Sequence, residues 1–547
     1  MLRSVMTCGV GRLDPRRSID SASCAVKMGS SVKRAVPCIL VLASCSFPIA
    51  DVGGPVSSPG ETVLDVMAFN IWHGGNLDKQ HAHGFEEQNK NELLAYLARE
   101  RPDLIFLVET YGLGKRIEEA LNRDTSDGRV FRGVQITREP QQAFDRDNLW
   151  LFTWLPVQEI YPAISELPVT SFHFGGARIG LPSGGHFHAF TTWISHLDSS
   201  WGPLNQAAME TALGIERTHT EAQLVASDHA RRIEMAKLIL EDRLPRYVDD
   251  DAPVLLGGDF NTQSHLDWTE AAAAAPRREG LVLQWPVMSM FAEAGFVDTF
   301  RSAHPDVARY PGRTWTAGHS FMYAPLRLDY VLAKGDVEVL ASSTRTRRLP
   351  EHRGGDLDDL YPFYSDHGAV VSRLRFAGDT AGGAGYSPAR PAVDEPEAGA
   401  WPELPGHPGG VPVPPAEMTA SASSSAAGYG PELVVDGDPR TYWHSRTEPG
   451  TPDAHPHQLT LDLSRERTLT AVRYQPRING YGGIAFRYTY LVSLDGVSFE
   501  RAAAGEWDRD SLPKDVSLPG VRARYLRLVI EAGVAGYSSA AELIPYE

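Results

Sequence analysis

The run PVLLGGDFN, from Pro253 to Asn261, decides the fold of the larger part of this chain. Its apolar residues are nearly continuous, and a strand of that kind is buried on both faces, as in sheets covered on each side within α/β domains. It ends abruptly in Asp259 and Asn261. A carboxylate placed directly after four apolar residues pays a desolvation penalty if it is buried and unpaired. The same grammar recurs along the chain. The expected strand Val63–Asn70 ends in FN at Asn70, and LIFLVE ends Leu104–Glu109 at Glu109. His188–His196 runs into SHLD, with His196 and Asp198. RLDYVLA sets Asp329 in Leu328–Ala333, and YSDHGAVV sets Asp366 and His367 before Ala369–Phe376. Between these runs, Glu86–Arg99 and His229–Leu240 read as helices. In the first, Leu93, Leu94 and Leu97 recur at i, i+1 and i+4.

One polar strand end is ordinarily a cap or an ion pair. Six on separate strands point to a common mouth, because ligands gather at strand ends in layered α/β folds. Asp198 reads as a strand-end cap. Hard oxygen ligands without cysteine suit Mg²⁺ or Mn²⁺ better than zinc. Two histidines beside them suit proton transfer or stabilisation of an anionic transition state. Together these groups fit hydrolysis of a phosphate ester by an in-line water.

The whole chain has 547 residues, which at about 150 per domain suggests two to four domains. A hydrophobic share of 42% excludes a disordered chain. The four cysteines, Cys8, Cys24, Cys38 and Cys45, exclude a disulfide scaffold beyond residue 45. The net charge of −17 argues against a broad basic surface for nucleic acid, but a nuclease needs only a local cleft. KRAVPCILVLASC, from Lys33 to Cys45, has the basic start and short apolar run of an export signal and is too short to span a bilayer. Leu42-Ala43-Ser44-Cys45 resembles a lipobox, with cleavage near Ala50 as the alternative; Met28 could be the true start. The expectation is a secreted or extracytoplasmic monomer, lipid-anchored if Cys45 is acylated, with no transmembrane span. The expected organisation is an export segment (1–50), a catalytic domain (61–376), a Pro/Gly linker (377–415) and a β-rich domain (416–547). An insertion from Ser199 to about Ala230 is expected to shape specificity. The pairs His81/His83 and His186/His188 have i, i+2 spacing but no accompanying carboxylate motif, and read as surface histidines.

The ordered set FN, LVE, SHLD, GGDFN, RLDYVL and SDH resembles the endonuclease/exonuclease/phosphatase superfamily, the deoxyribonuclease I-like hydrolases. That resemblance implies an α/β four-layer sandwich with its site at one rim. It implies Glu109 as principal metal ligand, with Asn70 and Asp366 near a Mg²⁺ (or Mn²⁺) ion. Asp259 would orient or deprotonate the attacking water, assisted by Asn261. His367, oriented by Asp329, would contact the scissile phosphate, and His196 would stabilise the pentacovalent phosphate or help the leaving oxygen.

From Ala416 onward, VVDGDPRTYWHS, HQLTLDL, YLVSLDGVSFE, ARYLRLVI and a terminal AE resemble a discoidin, or coagulation-factor type C, domain. That implies an all-β jelly-roll sandwich of galactose-binding-like type. A structural Ca²⁺ would lie among Asp436, Asp438, Thr441 and Glu542, with a carbohydrate-binding face at His444, Arg446, Arg477, Asn479 and Tyr481. Trp443 reads as core. The function implied is an exported, metal-dependent phosphodiesterase or phosphatase, targeted to glycan or a cell surface by its sandwich. A lipid, glycan, inositol phosphate or nucleic-acid phosphoester would each fit. The alternatives are a secreted endonuclease or exonuclease, and a non-catalytic binding protein on a dead hydrolase scaffold.

Overall fold

A computed structural model describes residues 61–77, 84–197, 200–228, 230–317, 319, 321–377, 385–388, 403–448, 451–452 and 454–547. The four cysteines, the apolar leader with its lipobox reading, His81, His83, Asp198, His229 and most of the Pro/Gly stretch lie outside the described residues. No helix among the described residues is long and apolar enough to cross a membrane.

The larger domain holds two mixed six-stranded sheets. In the first, Thr62–Asn70 lies between Ala369–Phe376 (antiparallel) and Leu104–Val108 (parallel). In the second, Val254–Asp259 lies between His186–Trp193 (parallel) and Asp329–Lys334 (antiparallel). The sheets share one apolar core, to which Val66, Ala68 and Phe106 contribute from one side and Ala189, Leu255 and Val331 from the other. Leu93 and Leu97 of helix Glu86–Glu100 cover the outer face of the first sheet, against Met67 and Ile105. Met235 of helix Ala230–Leu238 and Phe291 of helix Pro286–Glu293 cover the second, against Phe190 and Leu256. Asp65 interrupts an otherwise apolar strand and is buried, but Arg373 of the adjoining strand meets both its oxygens, at 2.8 and 3.0 Å.

The paired glycines of GGDFN are dictated by packing. A Cβ on Gly257 would stand 2.2 Å from the Phe106 ring across the core. Gly258 has φ +148°, and a Cβ there would stand 2.0 Å from the Thr192 carbonyl oxygen. Strand direction then collects the polar ends. Asn70, Glu109 and Asp259 end or follow strands, while Asp329 begins its strand opposite Asp259 in the antiparallel register. Asp366 and His367 precede Ala369–Phe376, which runs antiparallel to the strand that Asn70 ends. All six positions therefore fall on one rim.

The C-terminal region is all-β. Its two long strands, His457–Gln475 and Lys514–Gly533, pair antiparallel at the centre of a six-stranded sheet. Trp443 is fully buried in this core with Leu459, Leu461, Leu526 and Leu528. Parts of the expected linker are fixed. Tyr386 exchanges backbone bonds with Val63 and Glu61, and its hydroxyl donates to Asp103 at 2.6 Å. Val411 and Val413 pair with Glu547 and Pro545, so the sandwich begins before Ala416.

The sandwich is docked on the hydrolase domain. Ile478 and Leu512 are buried in one apolar cluster with Leu204, Ala208 and Trp285. Asn205 Nδ2 donates to the Ile478 carbonyl at 2.7 Å, and Arg440 pairs with Glu210 at 3.0 Å. Both Asn205 and Glu210 lie on helix Trp201–Ala212, inside the 199–230 insertion. That insertion serves as the docking platform.

Candidate active site

Asn70, buried at the end of its strand, bridges two carboxylates. Its Nδ2 donates to Glu109 Oε1 at 3.2 Å and to Asp259 Oδ2 at 3.0 Å. Its Oδ1 accepts from the Trp72 backbone N–H at 3.0 Å. The amide nitrogen therefore faces the centre where the sequence suggested a metal-binding oxygen; Asn70 is placed to orient Glu109 and Asp259. The other metal-side residues, Glu109 and Asp366, line the cleft together. Glu109 sits in left-handed backbone, φ 57°, uncommon for a glutamate, and its N–H donates to Asn148 Oδ1 at 2.9 Å. Burial pushes the Asp366 carboxyl up; His367 opposes this and the charge of Glu109 adds to it. Two carboxylates in one cleft, each unfavourable to the other's charge, fit a hard divalent cation that would relieve their repulsion.

Asp259 and Asp329 flank His367. His367 Nδ1 and Asp329 Oδ2 are 2.8 Å apart, and Nε2 lies 3.9 Å from Asp259 Oδ2. Burial alone would lower the imidazole pKa, but Asp329, Asp259 and Asp366 together lift it well above the ordinary value. The three carboxylates thus favour the protonated ring, whose Nδ1–H donates to Asp329. Asp259, Asp329 and His367 lie close enough to share a metal ion, but His367 Nδ1 is already engaged by Asp329, so we read them as an imidazole oriented by one carboxylate beside a second. Asp259 is pushed up to about 8, chiefly by burial and with Asp329 adding repulsion, against the charge of His367. Asn261 holds Asp259 with its backbone N–H at 2.8 Å and its Nδ2 at 2.9 Å. His196 is exposed at the cleft edge, its ring 5.3 Å from that of Trp193.

Sequence reasoning missed the residues that brace this centre. Thr314 Oγ1 accepts the Asp329 backbone N–H at 3.1 Å. Ser365 Oγ donates to the Asn70 carbonyl at 2.8 Å and accepts the His367 N–H at 3.1 Å. Trp315 Nε1 reaches Asp366 Oδ2 at 3.4 Å. Serine in YSDH was visible; nothing in the sequence marked Thr314 or Trp315. The cleft has a volume of about 750 Å³. His186 and His188 lie elsewhere and share Asp250, at 2.8 and 2.9 Å.

A family model, Endonuclease/Exonuclease/phosphatase family, matches residues 67–367, more than half of the chain. The chain belongs to this family. The members' hydrolase domain is followed here by an F5/8 type C domain at residues 419–543. An uncharacterized protein of Caenorhabditis elegans is 26% identical over 334 residues, covering 57% of this chain and 91% of its own. A type blood N-acetyl-alpha-D-galactosamine deacetylase of Flavonifractor plautii is 36% identical over 138 residues, covering 24% of this chain and 18% of its own. The family 32 carbohydrate-binding module of Clostridium perfringens NanJ, solved with galactose, is 30% identical, with a TM-score of 0.24, over 25% of this chain and 98% of its own. The endonuclease/exonuclease/phosphatase domain indicates a hydrolase.

In this second domain the expected calcium residues converge. Thr441 Oγ1 donates to Asp436 Oδ2 at 2.7 Å, and the Asp438 N–H to Asp436 Oδ1 at 2.9 Å. Glu542 is pushed up to about 8 by burial and by Asp436, and its Oε1 is buried without a hydrogen-bond partner. An orphaned buried oxygen beside two aspartates fits a hard cation. Of the expected sugar face, His444 is buried and its Nδ1 bonds the Ser445 carbonyl, whereas Arg446 is exposed. Arg477 stacks on Tyr442 at 4.1 Å and holds Asn479 Oδ1, while Tyr481 turns toward the hydrolase cleft.

Proposed function

We propose that this protein is an exported, Mg²⁺-dependent phosphodiesterase or phosphatase whose sandwich binds a glycan. The observation that carries the reading is the line Asp329–His367–Asp259 set beside Glu109 and Asp366 in one cleft. Glu109 and Asp366 would hold the ion, which when bound supplies charge neutralisation at the phosphoryl oxygens. Asn70 keeps Glu109 and Asp259 in register. Asp259, its carboxyl raised by burial, would accept a proton from the attacking water. His367, held cationic by Asp329, donates Nε2–H to a non-bridging phosphoryl oxygen, where negative charge builds. Exposed His196 assists the departing oxygen. A binding scaffold has no physical need for this set, which disfavours the non-catalytic alternative.

The helix, sheet, sheet, helix order supports the four-layer reading. Asp436, Asp438, Thr441 and Glu542 would hold Ca²⁺, and Arg477 and Asn479 with the neighbouring tyrosines would meet a sugar. Export, with or without acylation at Cys45, rests on the apolar leader. Small phosphoesters are preferred over duplex DNA, because Asp356 and Asp359 line the cleft together with Arg487 and Arg509, so that its described lining is not uniformly basic. The test is a Mg²⁺ assay of the full chain on bis(p-nitrophenyl) phosphate, p-nitrophenyl phosphate and plasmid DNA. Turnover of the small esters is expected; DNA nicking without it would replace this reading with the nuclease one.

A further inference from the structure

The cleft that holds His367 is not built by the hydrolase domain alone. Tyr481, Phe486, Arg487, Arg509 and the turn Ala532–Gly536 of the sandwich line the same cavity. Tyr481 is fixed there: its ring stacks on Phe321 at 5.5 Å and 11°, and meets the edge of Trp315 at 5.5 Å and 73°. Trp315 stacks on Trp201 at 4.0 Å, and the same indole reaches the carboxylate of Asp366. A continuous contact path thus runs from the sandwich loop to the metal-side carboxylate. Arg509 closes the other edge. Its guanidinium bonds the Asp359 backbone carbonyl and, at 2.9 Å, Asp359 Oδ2, and lies 4.1 Å over the Phe486 ring.

We infer that the sandwich is part of the active site, and that its wall binds the non-phosphate half of the substrate as a pyranose ring. This deepens the phosphoester reading above and rests on it. The volume, about 750 Å³, is that of a small-molecule site, typically about 300–1,000 Å³. It exceeds what a phosphoryl group fills, so the remainder must be occupied by what the phosphate is attached to. That remainder has flat aromatic faces (Trp72, Trp193, Tyr481) and guanidinium edges (Arg487, Arg509). A pyranose presents the matching chemistry, with apolar C–H faces for the rings and hydroxyls for N–H donors. An acyl chain would bring no hydroxyls to those polar edges, and a duplex would not enter a walled cleft. The reaction balances without a co-reactant: water oxygen bonds to phosphorus, the ester P–O bond breaks, and the leaving oxygen takes a proton.

The experiment compares two alkyl aryl diesters with one leaving group, methyl p-nitrophenyl phosphate and the 6-(p-nitrophenyl phosphate) of methyl galactoside, on the full chain. The galactoside is expected to win by about tenfold in kcat/KM, mostly through KM, because the extra binding is made before the chemical step. Tyr481→Ala should reduce that preference to below about threefold, and Arg509→Gln, which leaves the contacts of Tyr481 with Phe321 and Trp315 in place, should reduce it partially. Quenching of tryptophan fluorescence by methyl galactoside 6-phosphate reads the same site without turnover and should weaken in both variants. Equal turnover of the two diesters, or a preference that survives both substitutions, overturns the inference and leaves the phosphodiesterase reading standing. Turnover of neither diester overturns that reading and the inference with it.

Discussion

Asp329→Asn is the substitution whose effect follows most directly from the geometry. The Asn side chain keeps the shape of the buried site and can still accept from His367 Nδ1–H, so packing is preserved. The full negative charge 2.8 Å from the imidazole is lost. A hydrogen bond to a charged partner contributes about 1.5–3 kcal/mol, against about 1 kcal/mol for a neutral one. If that difference, about 0.5–2 kcal/mol, falls on the transition state, where His367 must be cationic, kcat drops by about twofold at the low end and about thirtyfold at the high end. KM should change little, because the ground-state ester contacts His367 Nε2 and not Asp329. Steady-state hydrolysis of bis(p-nitrophenyl) phosphate gives kcat and KM, and thermal unfolding by circular dichroism checks the fold. A variant that keeps kcat within about 1.5-fold of the parent, at unchanged Tm, would refute the claim that Asp329 maintains the His367 charge.

Three further outcomes are expected. Asp267 is fully buried among Arg301, Arg327 and Arg278 and sits at about 2, because those cations outweigh its burial. Asp267→Ala strands their charge and should cost about 3–5 kcal/mol in urea unfolding. His319 is held down to about 3, first by burial and then by Arg509. Its folded pKa lies below the unfolded value, so its contribution to stability is present above about pH 6.5 and is lost as pH falls toward 3. His319→Gln should flatten that acid loss by roughly 3 kcal/mol, measured as urea midpoints between pH 7 and pH 4. Calcium at about 100 times its Kd should stabilise the sandwich by about 2.7 kcal/mol. EGTA should remove that gain, and Glu542→Gln should abolish most of it in calorimetry.

Much of the catalytic rim was legible in the sequence because it depends on local order. An apolar run that must be buried fixes a strand, and the strand's end fixes where Asn70, Glu109 and Asp259 stand. Ala369–Phe376 was read to the residue, and Val254–Asp259 falls within the run Pro253–Asn261. His188–His196 was placed too far along, since the strand stops at Trp193 and His196 lies in the loop beyond it. The family resemblance implied that Asn70 lies near the metal, but which amide atom faces inward depends on the Trp72 N–H, a neighbour that spacing does not reveal. Thr314 and Trp315 act through contacts with residues that are remote in sequence. The same limit explains Tyr481. An exposed aromatic on a binding loop suggested a sugar platform facing solvent, and only the docking of two domains turns it toward the cleft. The 199–230 insertion carried no motif because its work is to present Asn205 and Glu210 to another domain.

The central claim is that Glu109 and Asp366 make this cleft a metal-dependent phosphoester hydrolase. The most direct measurement is turnover of bis(p-nitrophenyl) phosphate by the full chain, stripped with EDTA and titrated with Mg²⁺, beside Glu109→Gln. The account predicts no turnover in the stripped protein, saturable recovery with Mg²⁺, and no recovery in Glu109→Gln despite an unchanged Tm. Turnover that is indifferent to EDTA, or that Mg²⁺ restores equally in the variant, would contradict it.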